Sequence, residues 1–221
     1  MQTIKTIAKN FVNLLYPMHC YGCNKPLEAA NEYHACDFCI ASIKQNVMPP
    51  FEAGIRDTKI YSACLYEGTL KELIHKFKYR AKTALSKILS KFMIDYIKEN
   101  PILMDIDMIT VVPLHKKRLR EREFNQSLLL ASPISKEFGI PTENMLEKIR
   151  QTKYQNELLR NERLKNLKDA FCIRNKSDVQ EKKILLIDDV ITTGATLSEC
   201  SKTLLIGGAK SVTCLTLARG L

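Results

Sequence analysis

The stretch ILLIDDVITTGATLSEC, residues 184–200, decides the fold. Its first four residues are apolar in succession rather than in alternation, which is typical of a strand buried on both faces of a parallel sheet. Asp188 and Asp189 end this run, and residues 192–196 (TTGAT) follow as a bend that leads into a helix. Because ligands of open parallel sheets bind beyond the carboxyl ends of the strands, the stretch predicts a ligand site there.

The residue types around this strand end indicate a sugar phosphate as the ligand. Two adjacent carboxylates accept hydrogen bonds from vicinal hydroxyls, such as those of a ribose. The bend offers consecutive backbone amides, threonine hydroxyls and a glycine before a helix N-terminus, which together favour a phosphate. An acidic helix start without a function is the alternative, because aspartate is common at helix starts.

The rest of the chain alternates predicted strands and helices, which indicates an α/β fold with a parallel sheet flanked by helices. A strongly charged loop is expected at 114–126, and Pro133 is expected to bend or end the helix that follows it. A long polar stretch covers residues 150–171. The predicted strands lie at 59–68, 107–113, 145–150, 182–188 and 210–219, and the predicted helices at 69–82, 83–99, 127–131 and 195–208.

The composition narrows the class of protein without selecting a function. The 221 residues carry a formal net charge of +10, which indicates either lysine-rich soluble surfaces or an affinity for polyanions such as nucleic acid. No apolar run is long enough to cross a bilayer, so we expect no membrane span. Residues 1–17 lack the features of a signal peptide and predict an amphipathic helix that docks on the body of the protein rather than on a membrane. A cytoplasmic location is therefore expected.

The eight cysteines fall into two groups. Four of them form two C-x2-C pairs separated by twelve residues, a spacing typical of a four-cysteine zinc knuckle, with a redox pair or free thiols as the alternative. A segment this small buries little core, so a structural Zn²⁺ would supply its folding energy. The predicted ligands are Cys20, Cys23, Cys36 and Cys39. The single cysteines, which are predicted to pack as small apolar residues, are Cys64, Cys172, Cys200 and Cys214.

A basic stripe follows one flank of the predicted helix at 69–82. A solvated helix face is the simple interpretation, and contact with the phosphates of a nucleic acid is the functional one. Aromatic rings at Tyr66, Phe77 and Tyr79 would let bases stack, although the phase of Phe77 favours core packing. The stripe consists of Lys71, His75, Lys78 and Lys82, and its three lysines are the candidate nucleic-acid residues.

The order of apolar strand, acid pair and TTGAT bend resembles the phosphoribosyl pyrophosphate (PRPP) signature of type I phosphoribosyltransferases. With the knuckle in front, the chain from about residue 16 onward resembles the ComF family of competence proteins. This resemblance implies a zinc-ribbon module, a type I phosphoribosyltransferase-like domain and a part in handling incoming single-stranded DNA during natural transformation. The further segments that carry it are YEGTLKELIHKFKYRAK (66–82), VPLHKKRLREREFNQS (112–127) and IRQTKYQNELLRNERLKNLKDAF (149–171).

The resemblance implies a division of the chain and a role for each motif. The expected parts are a helix and zinc module at 1–45, a linker at 46–57 and the phosphoribosyltransferase-like domain at 58–221. Asp188 and Asp189 are implied to hold the ribose hydroxyls as the catalytic candidates, and Mg²⁺ is implied to accompany PRPP. A mobile lid is implied to contain Arg150, Thr152, Gln155, Arg163 and Asn166. The implied PRPP-binding residues are Pro113, Leu114, His115, Lys116, Arg118, Arg150, Thr192, Thr193, Gly194, Ala195 and Thr196.

The chain departs from the family pattern at three positions. Ala81, Glu123 and Asp169 stand where the family usually has glycine. Glu123 bears most on function, because an acid in a loop that faces a diphosphate repels the ligand. We therefore expect Glu123 to point away from the ligand or the affinity for pyrophosphate to be weakened.

Three functions are compatible with this sequence. The favoured one is the handling of incoming single-stranded DNA with a retained site for PRPP or ribose 5-phosphate. The first alternative is an active phosphoribosyltransferase with an unknown acceptor, and the sequence leaves turnover open because regulators keep such a loop without the reaction. The second is a non-catalytic adaptor that recruits a competence helicase/ATPase or a recombination mediator.

Overall fold

The protein is described by a computed structural model that covers residues 18–28, 31–52, 58–151 and 167–220. Three expectations lie outside these residues. They are the amphipathic helix at 1–17, the second half of the linker at 53–57, and the lid residues Thr152, Gln155, Arg163 and Asn166. Within the described residues, groups of one to three strands alternate with groups of one or two α-helices, in the α/β order that the sequence predicts.

A five-stranded sheet forms the centre of the protein. Its strands are β1 (Phe51–Glu52), β2 (Lys59–Leu65), β3 (Met108–Val111), β6 (Lys183–Ile191) and β7 (Ser211–Arg219), and an antiparallel pair lies apart, β4 (Leu146–Lys148) with β5 (Phe171–Ile173). The order across the sheet is β1, β2, β7, β6, β3, and all pairs are parallel except β1 with β2. The predicted α/β fold on a mainly parallel sheet is confirmed.

Helices cover both faces of the sheet and define two apolar cores. The helices are α1 (Asp37–Ala41), α2 (Gly68–Tyr79), α3 (Ser86–Glu99), α4 (Lys116–Arg122), α5 (Gln126–Phe138) and α6 (Ala195–Ile206). Leu185 and Ile187 face the core formed with α2, α3 and α5, whereas Ile184 and Leu186 face the core formed with α6 and the β4–β5 pair. This alternation explains why the strand is apolar at successive positions. None of the described helices is both long enough and apolar enough for a bilayer crossing.

Two segments differ from the predicted elements. Residues 116–122 form α4 where the sequence predicts a loop. His115 caps the N-terminus of this helix, and its Nδ1 accepts a hydrogen bond from the Lys117 amide at 3.3 Å. Helix α5 continues through Pro133 to Phe138. A proline inside a helix removes one amide donor, but the buried neighbours Leu130 and Ile134 keep this helix packed on the core.

Helix α2 ends earlier than the sequence predicts. It stops at Tyr79, and the chain then turns at Ala81, which has a left-handed φ of +48°. Lys82 follows this turn, so it does not continue the line of Lys71 and Lys78 along the helix. The predicted four-residue stripe is therefore wrong at its last member. Phe77 is fully buried, as its phase favours.

The four-cysteine module packs against α2 and β2. Lys76 of α2 donates a hydrogen bond from Nζ to the Tyr21 carbonyl at 2.6 Å. Asn46, where the predicted linker begins, is buried, and its amide donates to the Ala63 carbonyl at 2.9 Å. The described part of that linker, 46–52, thus lies on the sheet and ends in β1.

Candidate functional site

The two aspartates lie at the carboxyl end of β6, where the sequence predicts the ligand site. The strand continues past them to Ile191, so Asp188 and Asp189 belong to the strand itself. Asp189 is 8% exposed and Asp188 is partly buried. Because adjacent residues of a strand point to opposite faces, the two carboxylates have different neighbours.

Asp189 pairs with one of the lysines that the sequence assigns to nucleic acid. Lys78 Nζ lies 2.8 Å from Asp189 Oδ1, and the two side chains are only 18% and 11% exposed. Removal of either partner would leave a largely buried charge without its counterion. Lys78 is therefore part of the acid site, whereas Lys71 and Lys82 lie exposed on the surface.

Asp188 is held by hydrogen bonds from two donors. The Ser127 hydroxyl and the Asp189 backbone amide each donate to Asp188 Oδ1 at 2.9 Å. Burial raises the pKa of Asp188 to about 7 and the charge of Asp189 adds to the rise, while Lys78 and the two hydrogen bonds oppose it. At neutral pH this carboxyl group therefore exchanges between its acceptor-only and its donor form, a property common at functional sites.

The bend after β6 surrounds a shallow depression lined by Asp188 and residues 190–197. Gly194 has a left-handed φ of +76°, and a Cβ at this position would lie 2.9 Å from Phe51 Cε1. The bend leads directly into α6, whose first-turn amides lack intrahelical acceptors and so favour an anion. The depression brings together all the residues predicted from the TTGAT bend, namely Thr192, Thr193, Gly194, Ala195 and Thr196.

A cluster of cations lies near Asp188. Burial lowers the pKa of Lys148 in β4 to about 8, and the positive charges of Arg118 and Arg150 lower it further, whereas Asp188 raises it. Arg150 Nη2 also donates to the Lys168 carbonyl at 2.6 Å. This hydrogen bond connects the segment before residues 152–166 with the segment after them.

The predicted pyrophosphate residues follow β3, the neighbour of β6 in the sheet. Pro113, Leu114 and His115 are partly buried, and His115 caps the N-terminus of α4. Lys116 is exposed, and its Nζ lies 3.1 Å from Glu147 Oε1 in β4. This segment therefore lies beside the acid pair and in contact with the strand that carries Lys148.

Sequence reasoning misses two residues of this site, Ser127 and Lys148. Lys148 and Arg150 are two positions apart on a predicted strand. Side chains at this spacing point to the same face of a strand, so the sequence does indicate a basic face here. Ser127 is placed by Asn125, which accepts a hydrogen bond from the Ser127 amide at 3.0 Å and donates to the Val112 carbonyl at 3.1 Å. No local pattern links Ser127 to β6.

The three positions that lack the family glycine all have a left-handed backbone. The φ angles are +48° at Ala81, +66° at Glu123 and +55° at Asp169. Glycine adopts this region freely, whereas other residues do so at a cost of about 1 kcal/mol. The turns are thus kept without the residue that suits them best, and Glu123 is exposed where it ends α4.

The predicted metal ligands also come together. The Sγ atoms of Cys20, Cys23, Cys36 and Cys39 lie within 4.8 Å of one another. The Cys23–Cys36 Sγ separation is 3.7 Å, close to the distance of about 3.8 Å that tetrahedral zinc–sulfur bonds imply. The backbone amides of Gly22 and Cys36 each donate to Cys20 Sγ at 3.3 Å, which stabilises a thiolate. This donor set fits a closed structural metal site.

Known proteins are similar to this chain in its C-terminal part and along most of its length. A family model described as "Phosphoribosyl transferase domain" matches residues 125–221. The DNA utilization protein YhgH of Salmonella typhimurium is 28% identical over 229 residues (94% of this chain, 100% of that protein), and competence protein ComFC of Bacillus subtilis is 29% identical over 211 residues (90% and 83%). Competence protein F of Haemophilus influenzae is 31% identical over 159 residues, which cover 70% of this chain and 69% of that protein. The chain therefore belongs to the ComF family of competence proteins.

Proposed function

We propose that this protein handles incoming single-stranded DNA in the cytoplasm during natural transformation, and that its acid pair and bend bind PRPP or ribose 5-phosphate. The names of its relatives, which refer to competence and DNA utilization, support the first half. The net charge of +10 favours a polyanionic partner. The observation that carries the second half is the acid pair, of which Asp189 is buried and Asp188 is partly buried, directly before a glycine bend and a helix N-terminus.

In this proposal the sugar phosphate spans both parts of the site. The ribose hydroxyls donate hydrogen bonds to Asp188 and Asp189, and the 5′-phosphate accepts hydrogen bonds from the amides and hydroxyls of residues 192–196. Ser127 and Lys78 hold the two carboxylates in place from opposite sides.

The diphosphate of PRPP would extend towards the cation cluster. Arg118, Lys148 and Arg150 supply charge for its oxygens, and the Mg²⁺ that accompanies PRPP in solution is bound chiefly by those same oxygens. Lys148 loses its positive charge as the pH rises through about 8, so we expect PRPP to bind more weakly above this pH.

An active phosphoribosyltransferase is the second candidate. The acceptor would form a bond to C1 of the ribose while the C1–O bond breaks, and pyrophosphate would leave with the electron pair of that bond. The cation cluster favours this candidate, because charges placed at the leaving group stabilise the transition state. Release of pyrophosphate from PRPP in the presence of candidate acceptors measures this activity.

We further propose that the four thiolates bind Zn²⁺ and that the metal is structural. Four sulfur ligands complete a tetrahedral site and leave no position for water, which a catalytic zinc requires. The metal would then stabilise a module that contacts α2.

Calorimetric titration tests the sugar-phosphate half of the proposal. Wild-type protein should bind PRPP with Mg²⁺ and, more weakly, ribose 5-phosphate. The double variant Asp188→Asn/Asp189→Asn should lose at least about 100-fold in affinity, because hydrogen bonds to charged groups contribute roughly 1.5–3 kcal/mol each. Asp105→Asn is the matched surface control and should bind as wild type. Equal affinity of the double variant and the control would exclude this role for the acid pair.

Transformation and DNA binding test the other half. Affinity for oligo(dT) should fall steeply as salt increases, because phosphate contacts release counterions. Cells that carry the double variant should lose transformation even though the purified variant folds and still binds DNA. Unchanged transformation would show that the acid pair serves no purpose in DNA uptake.

A further inference from the structure

A cavity of about 260 Å³ lies between the end of α2 and helix α4, beside the acid pair. Lys78 forms part of its wall, and its Nζ lies 2.8 Å from Asp189 Oδ1. The cavity and the proposed ribose site therefore share one side chain. The residues proposed to hold the ribose and the 5′-phosphate do not line this cavity, whereas Arg118, which is proposed to contact the diphosphate, does.

The wall of the cavity combines cations with aromatic rings. Arg118 and Arg122 of α4 line it together with Tyr79 and Phe124. The guanidinium carbon of Arg122 lies 4.9 Å from the centroid of the Tyr79 ring, and Tyr79 is 58% exposed. Guanidinium groups bind phosphate, and exposed rings stack on bases, which is the combination found in proteins that bind single strands.

The backbone around the cavity is strained at two points. Ala81 and Glu123 both line it, and both have the left-handed φ described above. Strained residues persist where the surrounding structure holds them, and they are found preferentially at ligand and active sites. The carboxylate of Glu121 also lines the cavity, and carboxylates accept hydrogen bonds from the amino group of a base such as cytosine.

We propose that this cavity binds one nucleotide of single-stranded DNA, with the phosphate at Arg122 and the base against Tyr79. The proposal rests on the DNA-handling half of the proposed function and gives it a location. The volume suits a single nucleotide and lies just below the range of pockets that hold larger ligands. A DNA phosphate that draws Lys78 away from Asp189 would change the affinity of the acid pair for PRPP. Bound PRPP would then change the affinity for DNA by the same factor.

Fluorescence anisotropy with a labelled five-nucleotide DNA and the full chain tests the location. Tyr79→Leu should weaken binding about tenfold through loss of stacking. Arg122→Gln should lower the slope of log affinity against log salt by about 0.7, the value for one phosphate contact on a single strand. The matched controls are Arg120→Gln, which is on the same helix but does not line the cavity, and Phe38→Leu, an exposed ring on α1.

The outcomes separate this proposal from the one on which it rests. If the wild-type protein binds no oligonucleotide, the DNA half of the proposed function fails and the location falls with it. If wild type binds but Tyr79→Leu and Arg122→Gln behave like their controls, the location alone is wrong. A loss confined to Phe38→Leu would move the contact to the cysteine module and would also overturn the location. PRPP affinity and the melting temperature of Tyr79→Leu should match wild type, which separates a lost contact from a lost fold.

Discussion

The four-cysteine module and the carboxyl edge of the sheet are stabilised in opposite ways. In the described part of the module, the buried side chains that pack together are Cys20, Ala35 and Cys39, and the proposed metal would supply the stability that so small a core lacks. At the sheet edge, extensive apolar cores on both faces support buried carboxylates and a left-handed bend. In the proposal above the module would fold because of its metal site, whereas the apolar cores of the sheet support a site that itself contributes little to stability.

Loss of a metal ligand should have the largest effect on stability. A small effect would contradict the contrast drawn between the module and the sheet edge. Cys36→Ser removes one of the four predicted metal ligands. In small zinc domains such a site contributes about 10 kcal/mol to the free energy of folding, and the small core of this module cannot replace that contribution. Limited proteolysis should cut the variant within 18–45, and elemental analysis should find no bound zinc. Cys172→Ser is the matched control and should keep both metal and protease resistance. A protease-resistant Cys36→Ser module would show that packing holds it.

Gly194→Ala should destabilise the sheet by about 2 kcal/mol, measured by urea unfolding, because the left-handed φ and the contact with Phe51 act together. Gly139→Ala separates the two causes. Gly139 has a φ of +67°, but a Cβ there would meet nothing within 4 Å, so it should cost only about 1 kcal/mol. Equal losses in the two variants would show that the contact with Phe51 contributes nothing.

Neutralising Asp188 should stabilise the sheet edge. This gain would show that the site lowers the stability of the sheet, in contrast to the site of the module. The folded-state pKa of Asp188, about 7, lies above the unfolded value, so the folded state binds the proton more tightly. Asp188 therefore destabilises the fold increasingly as the pH rises from about 4 to about 7, and fully above that. Asp188→Asn removes this dependence and should gain about 1–2 kcal/mol at pH 8, a value reduced for the partial exposure of the group.

Urea unfolding between pH 4 and pH 8 checks this prediction. The stability difference between Asp188→Asn and wild type should grow through this range, and affinity for PRPP should fall in the same variant. Asp105→Asn, an exposed acid, should show no comparable gain. A difference that does not change with pH would mean that Asp188 is not buried as a charge.

The smallest effect is expected at the left-handed turns. Glu123→Gly should stabilise the protein by about 0.5–1 kcal/mol, because glycine adopts the φ of +66° without strain. Ala81→Gly should do the same at the end of α2. Ala84→Gly, in the 3-10 turn Thr83–Leu85, should be destabilising instead. The melting temperatures of the three variants test this order, and a loss of stability at Glu123→Gly would contradict it.

The sequence predicts β6, the bend and α6 well, because each depends on residues that are neighbours along the chain. It does not predict β1 or β5, which are two and three residues long and owe their extended form to their pairing partners. It predicts a loop where α4 forms, because the charged residues show no apolar period. Lys78 and Asp189 lie 111 residues apart, and no local pattern reports a contact at that distance.

Helix α2 contacts both regions at once. Lys76 donates to the Tyr21 carbonyl of the module, and two residues later Lys78 pairs with Asp189. A shortened chain that begins at residue 58 would keep both aspartates and the bend. It would lose the contact between the module and α2, the helix that positions Lys78 beside Asp189. Exchange of the module between two family members would therefore need the matching surface of α2 to be exchanged with it.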